Sequence, residues 1–151
     1  MSKFEGLVPE LPKWNNGNGI SLGDWITCIG RYDHFLGYLE LVWPSFIMVD
    51  DTVFIESLWQ KNRYETIISN CTNKAEAQKY LNLIDLANLF LGAEEEVTDE
   101  FLLYLANAIV QAWEAKLCTQ FPERKFKVVL ENFLSDPDDC ELNIYFFEPE
   151  I

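Results

Sequence analysis

The chain has 151 residues, 49% hydrophobic and 15% aromatic, with 25 acidic against 11 basic side chains and a formal net charge of -14. That apolar content is too high for a disordered acidic tail, and the length suits one ordinary domain with a buried core. The acidic excess argues against binding nucleic acid through phosphates, which takes clustered Lys and Arg, and points to a basic protein partner or to solubility alone.

Residues 1–5 lack the apolar run of a signal peptide, and no stretch approaches the ~18 apolar residues of a membrane span. The expected location is cytoplasmic, with no membrane partner. Residues 1–20 read as an irregular segment, punctuated by Pro9, Pro12 and the run from Asn15 to Gly19, with Val8, Leu11 and Trp14 as anchors to the body. Residues 21–151 read as a single domain. Ser21 and Asp24 have capping-box spacing, and Trp25, Ile26 and Ile29 follow at helical spacing. The helix runs to about residue 43, in two pieces around Gly30 and Gly37, with Phe35, Tyr38, Leu39 and Val42 as its apolar stripe, and Pro44 ends it.

Two short apolar runs, 46–49 and 52–55, flank Asp50 and Asp51 and predict a hairpin, although its turn lacks the favoured Gly. Residues 56–69 predict a helix carrying Leu58, Trp59, Tyr64, Ile67 and Ile68. Thr72 or Asn73 caps the next one, whose helix-forming density extends to Gly92. Thr98 caps the strongest helix, over about 99–120, with Asp99 and Glu100 in its first turn, where the helix dipole favours negative charge. Leu102, Leu105, Ala106, Ile109, Trp113 and Leu117 share its apolar face, and Pro122 closes it. Residues 126–131 and 142–146 alternate as half-buried strands around the turn Ser135, Asp136, Pro137, Asp138, Asp139. Together these predict an α+β fold in which four or five helices cover one face of a small antiparallel sheet. Whether the two hairpins share that sheet is not visible at this level.

The run Trp113-x-x-x-Leu117-x-x-x-Phe121-Pro122-Glu123-Arg124-x-Phe126-x-Val128 resembles one in small uncharacterised bacterial α+β proteins, where it also follows a long helix and precedes two strands. Trp43, Pro44 and Phe46, with Asn82 and Asp85, extend the resemblance over residues 21–147. It implies a fold and no activity. The small acidic character resembles, by type only, that of toxin-neutralising immunity proteins.

Cys28, Cys71, Cys118 and Cys140 are widely spaced, without a C-x-x-C pair, and are expected reduced and buried. His34 is the only histidine, so any catalytic triad or histidine-bearing metal site has to use it; its plainer reading is a partly buried ring bonded to backbone or Asp33. The loop holding Asp136, Asp138 and Asp139 has oxygen ligands but not the Gly and Glu spacing of a calcium loop, and reads as a solvated turn. No phosphate-binding glycine motif and no G-x-S-x-G occurs, and the pattern calls for no metal and no cofactor. Glu94, Glu95 and Glu96, with Asp99 and Glu100, form the densest acidic patch. Residues 94–151 hold fourteen acidic and four basic side chains, a balance of -10, against -4 for the first 93. The expected function is therefore non-catalytic: an acidic protein-binding domain, immunity-like, blocking a basic partner through Glu94, Glu95, Glu96, Asp136, Asp138 and Asp139. Other readings are a small-molecule enzyme or ligand-binding domain centred on His34, a nucleic-acid mimic, and a homodimer built on aromatic patches.

Overall fold

The computed structural model describes residues 3–150. The N-terminal segment contains a short 3-10 turn at Leu11–Lys13. Asn15, Asn16, Gly17 and Gly19 take positive φ, which doubles the chain back until the Ile20 N–H donates to the Leu11 carbonyl at 3.2 Å. Leu11 is fully buried, so it is the principal anchor; Val8 and Trp14 are only half-buried.

The first helical region is two helices, α1 (Leu22–Ile29) and α2 (Tyr32–Val42). Ser21 caps α1, its hydroxyl accepting the Asp24 N–H at 3.0 Å. The break falls at Gly30, where a Cβ would sit 2.5 Å from the Ile26 carbonyl oxygen; Gly37 lies inside α2 without interrupting it. The hairpin forms as expected, β1 (Phe46–Val49) with β2 (Thr52–Ile55). Asp50 and Asp51 have φ of 50° and 57°, the left-handed pair that a two-residue turn of this hand requires and that Asp tolerates. Three side chains from elsewhere hold that turn. The Tyr64 hydroxyl donates to the Asp50 carboxylate at 2.6 Å, Lys74 Nζ donates to the Asp50 carbonyl at 2.7 Å, and Arg124 pairs with Asp51.

Two helix boundaries differ from the sequence reading. Glu56–Leu58 is a 3-10 turn, and α3 spans Lys61–Asn70. The next helix, α4, is capped by Asn73 and covers only Lys74–Leu81, well short of Gly92. Beyond it Ile84–Asp85 becomes the short strand β3, and Leu86–Asn88 a 3-10 turn. Tertiary hydrogen bonds override helix propensity there: Asn82 is fully buried, accepts the Ile55 N–H at 3.0 Å and donates to the Val53 carbonyl at 3.1 Å. Asp85 accepts the Ala87 and Leu142 N–H groups at 3.1 and 3.0 Å.

Helix α5 spans Asp99–Gln120 as predicted, with the Thr98 hydroxyl accepting the Phe101 N–H. Strands β4 (Lys127–Asn132) and β5 (Leu142–Phe147) follow and pair antiparallel. The sheet order is β3-β5-β4, and the β1-β2 hairpin is separate from it. The fold is thus α+β, with five helices and two small antiparallel sheets among the described residues. One core joins both sheets: Val53 and Ile55 from the hairpin, Leu142, Ile144 and Phe146 from β5, and Ile109, Trp113 and Leu117 from α5. Strand alternation turns Phe54 the other way, onto the ring of Tyr64. No helix of the described residues is long and apolar enough to cross a membrane.

The cysteine expectation fails in one respect. All four thiols are free, but Cys28 and Cys118, on α1 and α5, are exposed, as is Cys140 in the loop before β5, and Cys71, which follows α3, is only partly covered.

Candidate functional site

Two concavities and one helix face stand out. The first concavity is a groove of about 560 Å³ between the N-terminal segment, α1 and the start of α5. Its floor is apolar, from Phe4, Leu7, Val8, Leu22, Trp25, Phe101 and Leu105. Glu10, Glu95 and Glu96 stand among its lining residues. The Trp25 indole N–H is buried here without a hydrogen-bond acceptor, one of three such side-chain atoms among the described residues. Glu10 is partly engaged, accepting the Trp14 indole N–H at 3.3 Å. Glu94, Glu95 and Glu96 are exposed and lie ahead of the Thr98 cap, so helix capping does not account for them.

The acidic loop does not join this groove. The Asp136 carboxylate accepts the N–H groups of Asp138 and Asp139 at 2.9 and 3.4 Å, so it builds its own turn. Asp138 and Asp139 are exposed and line neither concavity. No group of three or more His, Cys, Asp or Glu among the described residues is arranged to hold a metal ion.

The second concavity, about 580 Å³, lies under α2. Leu41, Pro44, Ile55, Leu58, Ile84, Leu89 and Trp113 form most of its wall, and Asp33, His34 and Glu40 are among its polar lining. The carboxylates do not converge on the imidazole. Asp33 makes a two-pronged contact with Arg31, at 3.1 and 2.7 Å, and accepts the His34 backbone N–H at 2.8 Å. The guanidinium first, and that N–H second, hold the Asp33 carboxyl below the usual range. Glu40 accepts the Ser45 hydroxyl at 3.5 Å. The His34 ring has an edge contact with Tyr38.

The third feature is α2 itself. Of the stripe read as its buried face, only Tyr38 turns to the cavity, where it packs on Phe90; Phe35 is 64% exposed and Leu39 and Val42 38–43%, and Tyr32, Leu36 and Trp43 extend this outward face at 95%, 62% and 42%. The side toward the cavity carries Gly37, Tyr38 and Leu41; His34 lies at its rim and is exposed, not partly buried as the sequence suggested.

The residues that carried the family resemblance hold the structure together. The Trp113 indole N–H donates to the Leu41 carbonyl at 3.0 Å, Phe121 and Phe126 pack their rings together, and Arg124 bridges Asp51 and Glu148. No family model, no curated protein and no solved structure matches the chain. Sequence reasoning found the lip of the groove, at Glu95 and Glu96, from acid density. It missed the floor, whose residues come from three separated segments.

Proposed function

We propose that the chain is a non-catalytic binding domain that docks a basic segment of another protein into the groove beneath Glu95 and Glu96, as an immunity-like inhibitor does. One observation carries this reading: an apolar floor and the exposed carboxylates of Glu95 and Glu96 meet in a single groove. A segment with an apolar anchor flanked by Lys or Arg fits both, the anchor on the floor and the cations beside Glu95 and Glu96. The -10 balance of residues 94–151 steers such a partner to the surface and makes the association salt-sensitive. Capture of basic proteins from a native extract tests it, comparing wild type with the Glu95→Lys/Glu96→Lys double variant at about 0.05 M and about 0.5 M salt. Wild type should retain a basic protein at low salt and release it at high salt, and the double variant should retain far less. Equal retention by both proteins overturns the reading.

The cavity under α2 supports a second reading, a small-molecule site beside His34, because an apolar pocket of this size with a few polar rim groups is how such ligands are held. The engagement of Asp33 by Arg31 favours binding over proton transfer there. A ligand in that cavity should shift the His34 ring resonances; one in the groove should leave them in place.

A further inference from the structure

The outward stripe of α2 has a spacing and a charge pattern that select an occupant. Tyr32, Phe35, Leu39 and Val42 alternate three and four residues apart, the seam that packs one helix along another. Leu36 and Trp43 widen it. From their fractional exposures, the six side chains expose the equivalent of more than three whole large side chains, about 700 Å² at roughly 200 Å² each. Monomeric proteins rarely show a contiguous apolar patch beyond about 300–600 Å². One partner's share of a stable interface is about 800 Å², close to what this stripe alone exposes.

Charge decides between occupants. None of the six stripe residues is charged; the two acids of α2, Asp33 and Glu40, are exposed at its edge, toward the cavity. A basic partner would find no carboxylate within the stripe, and an anionic lipid surface would want free Lys or Arg beside it, whereas Arg31 is paired with Asp33 and Lys116, over the Trp43 ring, donates to the Pro44 carbonyl. A second copy lays an uncharged stripe on an uncharged stripe even though each copy carries -14.

We infer that two copies of this chain pair through α2 in an isologous dimer, the two helices antiparallel about a two-fold axis. The inference is independent of the groove and goes beyond the reading given to it. It has a distinctive sign. Salt screens the repulsion between two strongly negative copies and strengthens apolar contact, so self-association should tighten as salt rises, whereas docking of a basic segment should weaken.

Sedimentation velocity on the full chain at about 0.15 M and about 1 M salt tests it. Wild type should sediment as a dimer whose dissociation constant falls with salt. The Phe35→Asp/Leu39→Asp variant should be monomeric at both, with an unchanged circular dichroism spectrum; Leu36→Lys, a milder change, should raise the dissociation constant at least tenfold. A wild type that stays monomeric at both salt concentrations overturns the dimer, as does a double variant that folds and still dimerises. If the double variant unfolds, the Leu36→Lys result decides: an unchanged dissociation constant also overturns it. Failure here leaves the charge-reversal test of Glu95 and Glu96 untouched.

Discussion

Replacing Asn82 by Ala should be among the costliest changes available in this chain, although Asn82 lies in no cavity. The side chain is fully buried and holds the inner hairpin strand from both sides, accepting from Ile55 N–H and donating to the Val53 carbonyl. After the substitution the Val53 carbonyl keeps a donor, because Gln78 Nε2 also reaches it at 3.0 Å. The Ile55 N–H keeps none, in a residue that is 2% exposed. An orphaned buried donor costs about 1–3 kcal/mol, and the amide-sized void adds about 1 kcal/mol more. The expected loss is therefore about 2–4 kcal/mol, a large share of the ~5–15 kcal/mol that holds a domain together. For a chain of this length the melting temperature should fall by about 5–12 °C. Thermal and urea unfolding followed by circular dichroism measure this, with an unchanged urea slope as the sign that both states keep their extent. Gln78→Ala supplies the decisive control. Alone it leaves the Val53 carbonyl to Asn82, whereas the double variant strips that carbonyl of both donors, so the two losses should fail to add by about 0.5–3 kcal/mol. A melting temperature within about 2 °C of wild type for Asn82→Ala, or strict additivity in the double variant, would refute the reasoning.

Three further outcomes are expected. Phe35→Asp, ruinous in a core, should change folding stability by no more than about 0.5 kcal/mol because the stripe faces water in the single chain; a loss several times larger, measured by urea unfolding at a concentration where the protein is monomeric, would mean that the ring is packed. The Tyr64 hydroxyl is pushed up to about 12 by the Asp50 carboxylate it donates to and secondly by burial, and a pKa raised on folding gives stability that is present below about pH 10 and lost as pH rises through 12. Asp50→Asn should therefore move one tyrosine's titration toward pH 10, read by tyrosinate absorbance, and superimposable curves would contradict the contact. Of the four thiols, the three exposed ones, Cys28, Cys118 and Cys140, should react quickly with a thiol reagent in the native state and Cys71 slowly, since burial first and Glu76 second raise the Cys71 pKa; four equal rates would count against this arrangement.

Where sequence reading succeeded, the deciding interactions were local. Thr98, the two acids after it and Pro122 bound α5 within its own stretch of chain, and Asp50 and Asp51 reach left-handed geometry without a Gly because their short polar side chains tolerate it. Where it failed, the deciding partners were remote. α4 stops at Leu81 because Asn82 bonds to β2 residues 27 and 29 positions earlier, and Asp85 to a β5 residue 57 positions later. Nothing in the helix-forming run to Gly92 announces those bonds. The groove divides the same way: its acids were visible as a cluster, but its floor needs residues near 4, 22 and 101 to meet in space.

Periodicity also has a blind side, and α2 exposes it. A repeat of apolar residues says which side chains share a face, not which way that face points. The default is inward, since a core is the usual apolar surface to bury against. In α2 the inward positions are held instead by Leu41, whose carbonyl takes the Trp113 N–H, and by Gly37 in the wall of the cavity. Lys116 fixes the helix end, donating to the Pro44 carbonyl and lying over the rings of Trp43 and Phe46. These contacts leave the richer stripe largely uncovered by the described residues. Leaving aromatic rings in water forgoes roughly 25 cal/mol for each Å² that a core would have removed. The same contacts that anchor α2 thus leave its apolar stripe as an uncovered seam.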